Sequence, residues 1–198
     1  TFIYNTFEKL MKAISKSLKK NDPNHLNLGI RYGYIEQLDD ELLRISKESF
    51  DALSFNCYAL SPDHEKMNHA LEISGLPMII GEYHFGTVDR GLAQSLWQVN
   101  SQKERGDAFR YYTENAFAHR GLIGTGWFRW IDQNINGRTD GENYNCGFID
   151  VTDRPYPYMV DAAIKTAKSL YEIHSGTKTP FHQAPNAVGH SPIPDLWE

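Results

Sequence analysis

Residues Leu76-Pro77-Met78-Ile79-Ile80-Gly81-Glu82-Tyr83-His84-Phe85-Gly86 join a proline and a short apolar run directly to a carboxylate, a phenol and an imidazole. A brief apolar run between turn signals suits a strand covered on both faces, so a buried strand is expected over Met78–Glu82. No polar turn separates the run from Glu82 and His84, and the strand therefore delivers a charged group to the rim of a core. Taken alone, these residues favour a strand running into a solvated loop. The sequence on either side favours the first reading.

Upstream, Phe7, Leu10, Met11, Ile14 and Leu18 recur at helical spacing. They predict an amphipathic helix over 2–20 with Lys12, Lys16, Lys19 and Lys20 on its solvated face. Asn21-Asp22-Pro23-Asn24 ends that helix, and 25–31 reads as a strand followed by Tyr32 and Tyr34. A second helix is expected over 35–49, a second strand over 50–58 ending in Asn56 and Tyr58, and a third helix over 62–74 stopped by Gly75. Downstream, the polar stretch 85–100 is long for a plain connection. A fourth helix (102–119), a fourth strand (121–130), a polar loop to about Asp153 and a last helix from Pro155 to His174 follow. The Pro-, His-, Gly- and Ser-containing stretch 175–198 reads as an irregular tail, lying over a surface or disordered.

A helix followed by four strand–helix units predicts an α/β fold with a parallel sheet. A doubly wound sheet is the neutral expectation at 198 residues, but no G-x-G-x-x-G follows any strand. Instead, polar and aromatic residues gather just after each strand: Arg31 and Tyr32, Asn56 and Tyr58, Glu82 and His84, and 127–132. Strands of a (β/α)8 barrel feed one shared site in this way. Four units make half of such a barrel.

Composition excludes several functions. With 20 basic and 25 acidic residues the net charge is −5, which leaves no basic surplus for a phosphate backbone, so nucleic acid is not an expected partner. No apolar run approaches the roughly 20 residues of a membrane span. Cys57 and Cys146 form neither a disulfide framework nor a zinc motif and are expected to be buried thiols. Asp132-Gln133-Asn134-Ile135-Asn136-Gly137 opens like a calcium-binding EF-hand loop, but the twelfth position is Asn143 and a strand precedes it where a helix is required. Neither H-E-x-x-H nor G-x-S-x-G occurs.

The strings PMIIGEYHFG (77–86), GTGWFRWIDQ (124–133) and NGRTDGENYNCGFIDVTDRPY (136–156) resemble the C-terminal half of clan A glycoside hydrolase barrels, and within that clan glycoside hydrolase family 50, the β-agarases. LNLGIRYG and DALSFNCY are similar to the fifth and sixth strands of the same barrel. The resemblance covers about residues 5–174. It implies α/β architecture as strands 5–8 of a (β/α)8 TIM barrel over 1–174, with the 175–198 tail outside it. The implied activity is retaining hydrolysis of β-galactosidic linkages in agarose-type galactans without a cofactor. The alternatives are a related β-galactosidase and a catalytically silent carbohydrate-binding half-barrel. A parent enzyme that degrades polysaccharide would be secreted or periplasmic.

In clan A the nucleophile ends the seventh strand, and the matching residue here is Glu82. Arg31, Tyr58 and His84, projecting from nearby strand ends, are expected to hold it by charge or hydrogen bond, with Asn56 at the end of the neighbouring strand. Trp127 and Trp130 are expected to offer flat faces to sugar rings. Asp132, Gln133, Arg138, Asp140, Glu142 and Asn143 are expected to bind hydroxyls. Retaining hydrolysis also needs an acid/base carboxyl about 5 Å from the nucleophile. In clan A this is a glutamate preceded by asparagine at the end of the fourth strand, and no Asn-Glu follows any strand here. Glu142 or Asp132 is the available stand-in. A half barrel would also expose two strand edges, so a complementary N-terminal half or a second copy of the chain is the expected partner.

Overall fold

The computed structural model describes residues 1–189. Helix α1 spans Phe2–Asn21, β1 Arg31–Tyr32, α2 Asp40–Ser49, β2 Leu53–Asn56, α3 His64–Ser74 and β3 Met78–Tyr83. Then come β4 Trp97–Gln98, α4 Gln102–Phe117, β5 Leu122–Trp127, α5 Pro157–His174 and β6 Val188–Gly189. Two compact units result. The first comprises Thr1–Cys57, Asp63–Gly81 and Gly121–Gly126, and the second Tyr58–Pro62, Glu82–Arg120 and Trp127 onward.

The first unit holds a parallel sheet in the order β1-β2-β3-β5, with Arg31 opposite Ser54 and Tyr32 opposite Phe55. Neighbours in the sheet are neighbours in the chain apart from the two-residue β4, so the order never reverses as it does in a doubly wound sheet. Leu53, Phe55, Met78, Ile80 and Leu122 are fully buried, and the alternate residues Ser54, Asn56, Ile79 and Gly81 are partly buried, so one face of β2 and β3 is more deeply covered than the other. On α1, Tyr4, Phe7 and Met11 pack with Ile45 and Phe50. The adjoining flank of the same helix leaves Ile3, Leu10, Ile14 and Leu18 exposed.

The strands expected over 50–58 and 121–130 shorten to Leu53–Asn56 and Leu122–Trp127, and three further elements depart from the sequence reading. The strand expected over 25–31 shrinks to Arg31–Tyr32 because Gly29 adopts φ +73° against the Phe50 ring, where a Cβ would lie 2.5 Å from a ring carbon. The helix expected over 35–49 splits into a 3-10 turn, Ile35–Gln37, and α2. Asp39 accepts the Leu42 N–H at 2.9 Å and caps a new helix start. Pro155 lies in a bridge to Ile149, and Pro157 is the proline that opens α5. Gly75 does stop α3, at φ +67°.

In the second unit α4 packs on α5. Tyr83 stacks on Tyr112 with ring centroids 4.1 Å apart, and its hydroxyl is bonded to that of Thr113. Of the 175–198 stretch, residues 190–198 lie outside the described residues, and 175–189 run back over α4. The buried Glu114 carboxylate accepts the Phe181 N–H at 2.8 Å, the Thr166 hydroxyl at 3.0 Å and Arg110 Nε at 2.9 Å. Arg110 in turn lies 4.4 Å over the Phe181 ring. Beyond this clasp β6 pairs antiparallel with β4, Trp97 opposite Gly189. Glu114→Ala leaves three donors without their acceptor and should cost about 2–4 kcal/mol. Denaturant unfolding measures that cost. Amide exchange should show 181–189 released, and unchanged protection there would contradict the clasp.

Candidate active site

Glu82 is part-buried near the carboxyl end of β3, one residue before the ladder ends at Tyr83. Tyr58 follows β2 and donates its hydroxyl to Glu82 Oε2 at 2.9 Å. Burial, and then the Glu82 charge, raise the phenol far above the ordinary tyrosine range. Tyr58 therefore remains a donor at any working pH. Two of the expected site residues are thus in direct contact.

His84 is placed otherwise than the sequence suggests. It is 1% exposed, with Nδ1 3.1 Å from the Phe128 carbonyl oxygen and Nε2 accepting the Leu96 N–H at 3.1 Å. A carbonyl only accepts and an amide only donates, so the proton sits on Nδ1. Burial lowers its pKa to about 3; the Phe128 bond opposes that shift and the Arg105 charge adds to it. A neutral ring with both nitrogens engaged cannot hold Glu82 by charge or hydrogen bond. It meets Tyr58 edge-on instead, with centroids 4.9 Å apart.

Arg31 and Asn56, in the first unit, both border Gly81, the residue before Glu82. A Cβ on Gly81 would lie 2.2 Å from Arg31 Cδ and 3.4 Å from Asn56 Oδ1, so only glycine leaves that arginine its place. The two tryptophans separate clearly. Trp127 donates Nε1–H to the Cys146 carbonyl at 2.7 Å and is ringed by Tyr83, Phe109 and Phe148. Trp130 is 68% exposed and stacks on Phe148, leaving a face open to solvent.

Within the loop after β5, Asp132 and Gln133 are structural rather than solvent-facing. Asp132 is 4% exposed and accepts from Gly147 N at 2.7 Å, Tyr156 Oη at 2.6 Å and Asn145 Nδ2. Gln133 is fully buried, accepts Tyr144 N at 2.6 Å and donates to Glu142 at 2.7 Å. Arg138 lies 3.3 Å from Glu142 and 2.8 Å from Asp140, and all three stay partly exposed. Asn143 accepts the Ala93 N–H and donates to Ile135 O, tying its loop to 85–100. Neither expected stand-in for the acid/base is uncommitted: Asp132 is buried, and Glu142 is paired with Arg138 and Gln133. Among the described residues no group of three His, Cys, Asp or Glu side chains could hold a metal ion.

The sequence reading missed Arg105, Tyr144, Asn145 and Tyr156. Arg105 is completely buried, donates to Asn145 O at 2.9 Å and Gly147 O at 2.6 Å, and lies 4.4 Å over the Tyr156 ring. Together with Asp132 it fixes the 144–148 backbone, which sets Tyr144 against His84. One signal was available: Gln102 and Arg105 fall on the same helical stripe as Phe109, Tyr112 and Ala116, so two polar residues point into the core.

No protein-family model matches the chain. It is 37% identical over 166 residues to β-agarase A of Vibrio sp. (strain JT0107), covering 80% of this chain and 16% of that protein. Among solved structures, PfGH50B superposes with a TM-score of 0.80 at 36% identity, covering 84% of this chain and 24% of the other. An exo-β-agarase superposes with a TM-score of 0.79 at 33% identity, over 85% and 23% respectively. The chain thus spans only about a sixth of the curated relative. By sequence and by fold, it is homologous to a segment of the glycoside hydrolase family 50 β-agarases.

Proposed function

We propose that this chain is the nucleophile-bearing half of a retaining β-agarase barrel, corresponding to strands 5–8, and that its substrate is an agarose-type galactan. The observation that carries the reading is the Glu82–Tyr58 pair at 2.9 Å, near the carboxyl end of β3. That is where barrel enzymes keep their chemistry. Unreversed strand order and the uncovered apolar flank of α1 support a segment that continues into further strand–helix units.

Glu82 attacks the anomeric carbon as the glycosidic bond breaks, forming a glycosyl ester. An acid protonates the departing oxygen, and its conjugate base then deprotonates the water that cleaves the ester. Tyr58 keeps the attacking carboxylate aimed. The acid/base belongs to the complementary segment, since Asp132 and Glu142 are committed elsewhere. Trp130 supplies a flat apolar surface for a sugar ring, and Arg138, Asp140 and Asn143 line the polar loop beyond it.

Complementation tests this reading. The chain alone, and the chain mixed with a polypeptide carrying the first four strands of a family 50 agarase, are assayed on agaro-oligosaccharides and on an aryl β-galactoside. Turnover of the oligosaccharides only in the mixture is the expected result. Preferential turnover of the aryl galactoside would point to the β-galactosidase alternative. Sugar binding without turnover in any mixture would favour a silent binding half-barrel.

A further inference from the structure

We propose that His84 is a positioning residue: a fixed, neutral imidazole that braces Tyr58 so that its hydroxyl stays directed at Glu82. The inference deepens the proposed function, since it assigns a role at the same site, and it rests on contacts within the second unit. His84 lies just beyond β3, where the ladder no longer fixes side-chain direction. Two backbone groups from separate loops hold its ring, the Phe128 carbonyl after β5 and the Leu96 amide of the 85–100 stretch. Bonds on opposite edges of a planar ring leave it no free rotation. Tyr58 meets that ring at 4.9 Å with planes 66° apart, while Tyr144 and Phe128 lie 5.8 and 5.9 Å from it.

Imidazole suits this place for a physical reason. It is the one side chain that presents a donor and an acceptor on opposite sides of a rigid ring. Phenylalanine would keep the brace and orphan two buried backbone groups. Glutamine would offer a donor and an acceptor from one flexible end and lose the wall. Burial holds the ring neutral, with its pKa lowered to about 3, so the brace does not change with ordinary pH. The same geometry ties the loop after β5 to the loop after β3 at one point beside the nucleophile candidate.

The test uses the whole chain and two magnetic-resonance readouts that need no turnover. Long-range proton–nitrogen spectra should show His84 as a single Nδ1–H tautomer, assigned by its loss in His84→Gln. An Nε2–H tautomer, or an averaged pair, overturns the proposal without any folding question. In chains labelled at tyrosine Cζ, His84→Gln should move the Tyr58 resonance toward its position in Glu82→Ala and leave Tyr83 unmoved. A folded His84→Gln chain with Tyr58 unmoved also overturns it. Because neither readout requires hydrolysis, failure here leaves the nucleophile assignment standing. Failure of the complementation assay likewise leaves the brace intact.

Discussion

Glu82→Gln should lower agaro-oligosaccharide turnover by about 10⁴-fold or more in the complemented barrel, the scale seen when an enzyme loses its nucleophile. The amide is nearly isosteric, and its oxygen can still accept from Tyr58, so folding and sugar binding should be unchanged. What disappears is the negative charge that the proposed mechanism directs at the anomeric carbon. Tyr58→Phe separates position from chemistry. It keeps the carboxylate and removes one hydrogen bond to a charged group, worth about 1.5–3 kcal/mol, so a loss of roughly 10- to 150-fold is expected. Quenching of the exposed Trp130, the proposed sugar platform, is the expected signal of binding independent of turnover. A Glu82→Gln chain that kept more than about 1% of activity would remove Glu82 from the nucleophile role.

The fold was legible where local signals agreed. The apolar run 78–80 between Pro77 and Glu82 has the length and punctuation of a buried strand, and β3 occupies Met78–Tyr83. Helix ends were legible where glycine adopts positive φ, as at Gly75, and obscured where a side chain competes with the pattern. Asp39 caps a helix five residues inside the apolar periodicity that predicted one continuous helix from Ile35. The register of Leu38, Leu42, Leu43 and Ile45 carries no mark of that break, because a cap is a hydrogen bond rather than a hydrophobicity.

The contact between Glu82 and Tyr58 was legible in the sequence, and the packing of the loop after β5 much less so. Asp132 and Gln133 read as hydroxyl-binding groups in a glycine- and asparagine-rich loop, yet they and Asn145 are buried. Their partners come from far along the chain: Arg105 from α4 and Tyr156 from the start of α5. A single sequence does not show which distant donors will satisfy a loop carboxylate. His84 failed for a related reason. Strand alternation would set it beside Glu82 on one face, but the ladder ends at Tyr83 and the imidazole is buried instead.

The buried Asp132 carboxylate also predicts a large stability effect. Asp132→Ala removes the acceptor of Gly147 N–H, Tyr156 O–H and the Asn145 amide at once. It also leaves the Arg105 guanidinium buried without the nearby negative charge that favours its ionised form. Removing one member of a buried charged network costs about 3–5 kcal/mol, chiefly through the unpaired groups left behind. Packing cannot relax to absorb the change, because Gly147 is wedged against the Asp132 amide, where even a Cβ would approach to 2.3 Å. Asp140→Ala is the control: its pair with Arg138 is 45% and 41% exposed, and such pairs contribute about 1 kcal/mol or less. Denaturant unfolding of the two variants should therefore differ by several kcal/mol. Near-equal losses would mean that the Asp132 network does not hold the 144–148 backbone. The wall it gives the Glu82 site, through Tyr144 and His84, would then need another anchor.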